Sequence, residues 1–196
     1  MDTLYKRALR LEILLLGYNA VEAVVSLVAG ALADSIALTG FGLDSVVESL
    51  SALVLIWRLR MHGRISEEEE ERLERRAYRF VGATFLILGV YVAYESAAKI
   101  IRNEIPYPSI VGMVVAVLSM VVMPILGLAK YRLGKRMGLK SLVADAKETF
   151  FCAFLSAALL LGLLLNVMFG FWLADPIAAL VIVVFLLREG WEMVFE

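Results

Sequence analysis

Residues 36–60 read IALTGFGLDSVVESLSALVLIWRLR. The run is too long and too apolar for a strand, and its charges are confined to Asp44, Glu48 and the terminal Arg58 and Arg60. As a helix rising about 1.5 Å per residue it reaches across a hydrocarbon core of about 30 Å. Working outward, five more apolar runs recur at 9–31, 78–101, 109–132, 141–166 and 173–194. An all-α, polytopic membrane protein with six transmembrane helices follows, and residues 1–196 read as a single transmembrane domain.

Composition agrees. Of 196 residues 61% are apolar and the mean hydropathy is +0.82, well above the roughly 45–50% apolar content of soluble domains. The breaks between runs carry turn chemistry: Gly30 and Asp34, the charged stretch Arg58 to Arg79, Pro106 and Pro108, Gly134 to Lys140, and Phe169 to Asp175. Pro176 suits a first helical turn, where its missing N–H has no intrahelical partner. The first run contains Asn19 and Glu22 and no short apolar core with a cleavage pattern, so it reads as a retained span. A formal net charge of −1 gives no support for a nucleic-acid partner, and with Cys152 as sole cysteine no intrachain disulfide is possible.

Basic residues set the orientation, because short cytoplasmic loops retain Lys and Arg. Lys6, Arg7 and Arg10 precede the first run. Arg58, Arg60, Arg64, Arg72, Arg75, Arg76 and Arg79 flank the second loop, and Lys130, Arg132, Lys135, Arg136 and Lys140 flank the fourth. The opposite loops hold only Lys99 and Arg102. Both termini are therefore expected in the cytoplasm. The acidic stretch Glu67 to Glu71 reads as a solvated helix extension paired with Arg72, Arg75 and Arg76, in preference to a cation-concentrating loop.

A carboxylate at mid-bilayer costs roughly 2.5–3.5 kcal/mol on insertion scales, so each one needs a partner or a purpose. Asp44 and Glu48 are four residues apart, on one helix face and about 6 Å apart along the axis. Glu148 and Cys152 repeat the spacing, and an offset of 104 residues lays Asp44 on Glu148 and Glu48 on Cys152. If those faces meet, three carboxylates and a thiol converge, enough for a tetrahedral divalent-metal site. The competing reading is that each acid merely hydrogen-bonds a neighbouring helix.

Other polar positions are weaker candidates. Asn19, Glu22 and Ser26 form a stripe on the first run, with Glu22 as an outer ligand, proton carrier or packing anchor. Asp145 shares a face with Glu148 and Cys152, and fits an access path or a macrodipole-complementing acid near a helix start. Lys147 reads as neutralising a carboxylate of the metal-free site or as snorkelling to the interface, the second slightly preferred. Glu95, Asp175 and Glu189 read as span-end residues, His62 as a solvated loop side chain, and Trp57, Trp172 and Trp191 as interfacial belts. Gly82, Gly89, Gly127 and Gly134 would permit close helix packing. No intramembrane His supplies a base for a Ser or Cys nucleophile, and no phosphate-cradling loop is present in the sequence, so neither an enzyme nor an ATP-driven pump is expected.

The text from Ser35 to Glu48 and the text SLVADAKETFFC from Ser141 to Cys152 resemble the cation diffusion facilitator family, whose members carry paired ligands four residues apart at these two places. Tyr94-Glu95 before a basic helix end, and Asp175-Pro176 opening the last run, add to the resemblance, which covers nearly the whole chain. It implies a multi-pass homodimeric antiporter of the plasma (inner) membrane that exports zinc or a similar divalent ion against inward proton flow, with no prosthetic group. Carried over by position, the metal ligands are Asp44, Glu48, Glu148 and Cys152, with Glu22, Asn19 and Asp145 as further metal or proton-coupling positions.

Two departures from the family pattern stand out. The sequence ends at Glu196, just after the sixth run, so the expected form is a short one without the C-terminal cytoplasmic domain, and dimerisation falls to the membrane part. Glu148 and Cys152 replace the familiar His and Asp. Carboxylates suit manganese and ferrous iron while a thiolate favours zinc or cadmium, and zinc is the default expectation. Protons and metal would compete for the same lone pairs during alternating access. A passive cation channel and a non-transporting membrane scaffold are the alternatives.

Overall fold

A computed structural model of the chain describes residues 3–61, 66–105, 107 and 109–195. Six helices fill it: α1 Thr3–Ala33, α2 Ile36–Met61, α3 Glu67–Arg102, α4 Ile110–Met137, α5 Lys140–Phe169 and α6 Ala174–Phe195. Each covers one of the expected runs, to within one residue at α4 and α6 and completely elsewhere. The largest differences in boundary are at α1, which begins at Thr3 and not at residue 9, and at α3, which begins at Glu67 and not at 78. The α3 extension has a local cause: Ser66 lies in extended backbone and accepts a hydrogen bond from the Glu69 N–H, a capping interaction that starts a helix. Glu68 and Glu69 are exposed, as the solvated-extension reading requires. His62, Pro106 and Pro108 lie outside the described residues.

Thr3–Ala33, Ile36–Met61, Gly82–Arg102, Ile110–Met137 and Ser141–Phe169 are each long and apolar enough to cross a bilayer. The sixth helix is more charged, with Asp175, Arg188, Glu189 and Glu192 in its 22 residues. Its central part, from Ile177 to Leu187, is nonetheless uninterrupted by charge. Large apolar side chains such as Val21, Leu32, Ile87, Ile125 and Met168 are more than half exposed across the outer faces, where lipid, unlike water, carries no penalty for them.

Packing divides the helices into two layers. α1, α2, α5 and α4 form a ring in which each touches the next, and α3 and α6, packed on each other, lie against α2 and α5. Glycines set the closeness of these seams. A Cβ on Gly190 would lie 2.8 Å from the Gly82 carbonyl oxygen, one on Gly82 would lie 2.5 Å from Met193, and one on Gly89 would lie 2.7 Å from Leu187. Gly127 and Gly134 face Phe150 and Val143 of α5 in the same way. All four glycines marked by the sequence are thus consumed by packing within the chain.

The two ends of the bundle are tied differently. At one, the buried Asp175 of α6 accepts the Ser35 hydroxyl and the N–H groups of Ile36 at 3.0 Å and Ala37 at 3.5 Å, capping α2 from another helix. Lys99 of α3 pairs with Asp34 in the α1–α2 turn at 2.6 Å. At the other end Arg58, closing α2, donates to Ser141, opening α5. α2 and α5 are therefore antiparallel.

Candidate metal-binding cavity

Antiparallel packing of α2 and α5 fixes how their ligand-type pairs meet. Ser51 donates to Glu148 Oε2 at 3.1 Å, which sets those residues opposite one another. Stepping outward along both helices then brings Glu48 to the level of Cys152, and the two side chains face each other. Asp44 falls one turn to the far side of that level, opposite Leu155, and Glu148 one turn to the near side.

All four line one cavity of about 30 Å³, together with Phe85 of α3, Phe151 and Leu155 of α5, and Phe185, Leu186 and Glu189 of α6. A volume near 10–15 Å³ already admits a water-sized sphere, so the cavity takes a small ion with little or no hydration. The acids are withdrawn from the surface: Asp44 is 7% exposed, Glu48 4% and Cys152 2%, while Glu148 is half-buried. Neither carboxylate oxygen of Glu48 receives a hydrogen bond of full geometry, although the Asn19 amide, the Thr149 hydroxyl and the Cys152 thiol are its near neighbours. A buried polar atom left poorly partnered is costly, so the Glu48 pair holds lone-pair capacity that these neighbours do not saturate.

The expected convergence on one point is not how the side chains lie. Among the described residues no three His, Cys, Asp or Glu side chains are drawn close enough together to hold an ion. Antiparallel i, i+4 pairs explain this, since they produce a ladder with Glu48 and Cys152 on its middle rung and Asp44 and Glu148 above and below. Like charges and hydrophobic walls keep the rungs apart.

Glu22, Asn19 and Ser26 are buried as the stripe suggested, at 3%, 0% and 0% exposure. They do not line the cavity. Glu22 accepts the Ser45 hydroxyl of α2 at 2.9 Å, and the Asn19 side-chain amide lies beside the Glu48 carboxylate. Asp145 is buried and paired with Lys130, which places it on an interior charge cluster and makes it more than a helix-start acid. Lys147 is exposed, consistent with snorkelling.

Sequence reading missed three residues. Glu189 was assigned to a span end, yet it is half-buried and lines the cavity; its signal was the shared face with Ile182, Leu186 and Met193, all buried. Lys130 was counted among loop-flanking cations, yet it is fully buried, on one face with Leu126, Gly127, Leu133 and Gly134. Glu12 is fully buried seven residues before Asn19, so it extends the polar stripe by two turns.

The chain matches the cation efflux transmembrane domain over residues 13–196. It is 23% identical to an uncharacterized transporter of Methanocaldococcus jannaschii, over 89% of this chain and 63% of the relative. It is 24% identical to a cadmium, cobalt and zinc/H(+)-K(+) antiporter of Bacillus subtilis, over 92% and 58%. It is 23% identical to a manganese efflux system protein of the same organism, over 90% and 62%. The chain thus spans about three fifths of the length of the curated relatives it matches.

Proposed function

The chain belongs to the cation efflux family, a family of transporters and not of enzymes, and we propose that it exports a divalent metal cation through the cavity between α2 and α5. Asp44, Glu48, Glu148 and Cys152 carry the ion. The observation that supports this most is Glu48, whose two buried oxygens receive no hydrogen bond of full geometry and which lines, beside the Cys152 thiol, a cavity of about 30 Å³. Carboxylates and a thiolate together are a borderline donor set. Zinc is the first assignment, with cadmium, manganese and ferrous iron as competitors; zinc, cadmium and manganese appear in the names of the relatives.

The carriage is stepwise. A cavity this small takes one nearly bare ion, which suits alternating access better than a continuous aqueous pore. The ladder gives such a cycle its geometry: Glu148 meets the ion from one end, Glu48 and Cys152 hold it, and Asp44 passes it on. The two-layer packing offers the moving parts, because the packed pair α3 and α6 closes the cavity through Phe85, Phe185 and Leu186. Protons and metal compete for the same oxygens and sulfur, so inward proton flow returns the site to its unloaded form. The protein works as a multi-pass homodimer of the plasma (inner) membrane, with both termini cytoplasmic.

Proteoliposomes carrying a pH gradient and a metal-sensitive dye test this reading. Uphill zinc or manganese movement is expected in the wild type, and its loss in Asp44→Ala and Glu148→Ala. Metal movement down its gradient only, indifferent to protons, would instead make the protein a channel. Absence of metal binding would leave it a scaffold.

A further inference from the structure

The interior holds a second charged cluster beside the cavity. Lys130 of α4 is fully buried, and its ammonium contacts the Asp145 carboxylate of α5 and lies 3.3 Å from Glu12 Oε1 of α1. Thr149 of α5 is 3.4 Å from the same nitrogen. Glu12 is itself fully buried, and the Lys130 ammonium is the partner that holds it.

Structural bracing does not account well for this arrangement. A buried ion pair is often no more stabilising than apolar residues of the same volume, and one ammonium shared by two carboxylates leaves an unbalanced negative charge. The cluster's position is more telling. Asp145, Glu148, Thr149 and Cys152 follow one another along α5 within about two turns. The Ser51 hydroxyl bridges the cluster to the cavity, lying 3.5 Å from Asp145 Oδ1 and donating to Glu148 Oε2 at 3.1 Å. Lys147, the cation carried by this stretch of α5 itself, is exposed. A lysine is a compact charge on a flexible four-carbon stem, able to shift between neighbouring acceptors.

We infer that Lys130 is a tethered counter-cation of the transport path: its ammonium opposes a divalent ion in the cavity, weakening binding enough for the ion to leave. The inference rests on the cavity being the ion site. Asp145 and Glu12 hold the ammonium and are positioning residues.

The test is the sign of a change in metal affinity, measured with Mn²⁺ or Zn²⁺ alone on the purified full chain in nanodiscs. Removing one positive charge about 10 Å or less from a divalent ion should tighten binding roughly tenfold or more. Lys130→Met is therefore expected to lower Kd by that factor and, in proteoliposomes, to lower KM and kcat together as release slows. Lys130→Arg keeps the charge and should bind within about threefold of wild type. A brace gives the opposite result, since its loss loosens the bundle and weakens binding.

If Lys130→Met does not fold, the comparison is made in an Asp145→Asn background, where the buried ammonium has already lost one partner. Lys130→Met on top of Asp145→Asn must again tighten binding. Unchanged or weaker binding in whichever folded pair is compared overturns the role of Lys130. If wild type binds and Asp44→Ala abolishes binding while the Lys130 variants do not tighten it, this inference fails alone. Absence of saturable binding in the wild type overturns both.

Discussion

Asp175→Ala should separate what holds the bundle together from what binds the ion. The carboxylate is 1% exposed and accepts the Ser35 hydroxyl and the N–H groups of Ile36 and Ala37, while Ser35 Oγ accepts the Leu38 N–H at 3.1 Å. It therefore caps α2 from α6 and joins the two layers. Loss of a cap costs about 0.5–2 kcal/mol and a buried donor left unpaired about 1–3, so roughly 2–4 kcal/mol of destabilisation is expected once water offsets part of the loss. Asp175→Asn keeps the shape and one acceptor oxygen and should lose about half as much. Equilibrium unfolding followed by helical circular dichroism in mixed micelles reads the difference. Because Ser35 lies nine residues from Asp44, about 13 Å along α2, the metal Kd of the folded Ala variant should stay within about twofold of wild type. An Ala variant as stable as wild type would refute the reasoning that Asp175 holds the layers together.

Two further outcomes follow from the cavity and the seams. Glu189→Gln removes a charge facing the ion and should weaken Mn²⁺ binding about threefold to tenfold at unchanged stoichiometry, read by titration calorimetry; unchanged affinity would place Glu189 outside the ion's field. Gly190→Leu forces a side chain against the Gly82 carbonyl and Leu86, each within 3.0 Å of the new Cβ. It should cost about 1–3 kcal/mol or more of stability in the same unfolding assay, with Gly190→Ala milder.

Helix number and rough placement were legible because an apolar run long enough to cross a bilayer has few alternative readings. That Asp44, Glu48 and Glu148 stand apart from their apolar surroundings was legible because carboxylates are too costly in lipid to be incidental, and all three line one cavity with Cys152. Depth was harder to read. Lys130 and Glu12 stand near the ends of their apolar runs, where a charge ordinarily meets water, and only the packing of α1, α4 and α5 reveals that their heads turn inward. Glu189 escaped notice in the same way. The ladder arrangement escaped for another reason: i, i+4 spacing gives each helix face but not the relative direction or register of two helices, which the Ser51–Glu148 contact supplies. The close-packing glycines were visible, but their partners were not.

The central claim is that a divalent ion sits between α2 and α5 in contact with the Cys152 sulfur and the carboxylates around it. Cobalt(II) substitution tests it most directly, because a thiolate bound to cobalt gives a sulfur-to-metal charge-transfer band in the near ultraviolet. The wild-type chain should show that band on saturation with one ion per chain. Cys152→Ser should lose it while Glu22→Gln, outside the cavity, keeps it. A cobalt spectrum indifferent to Cys152, or binding that survives replacement of both Asp44 and Glu148 by Ala, would contradict the account.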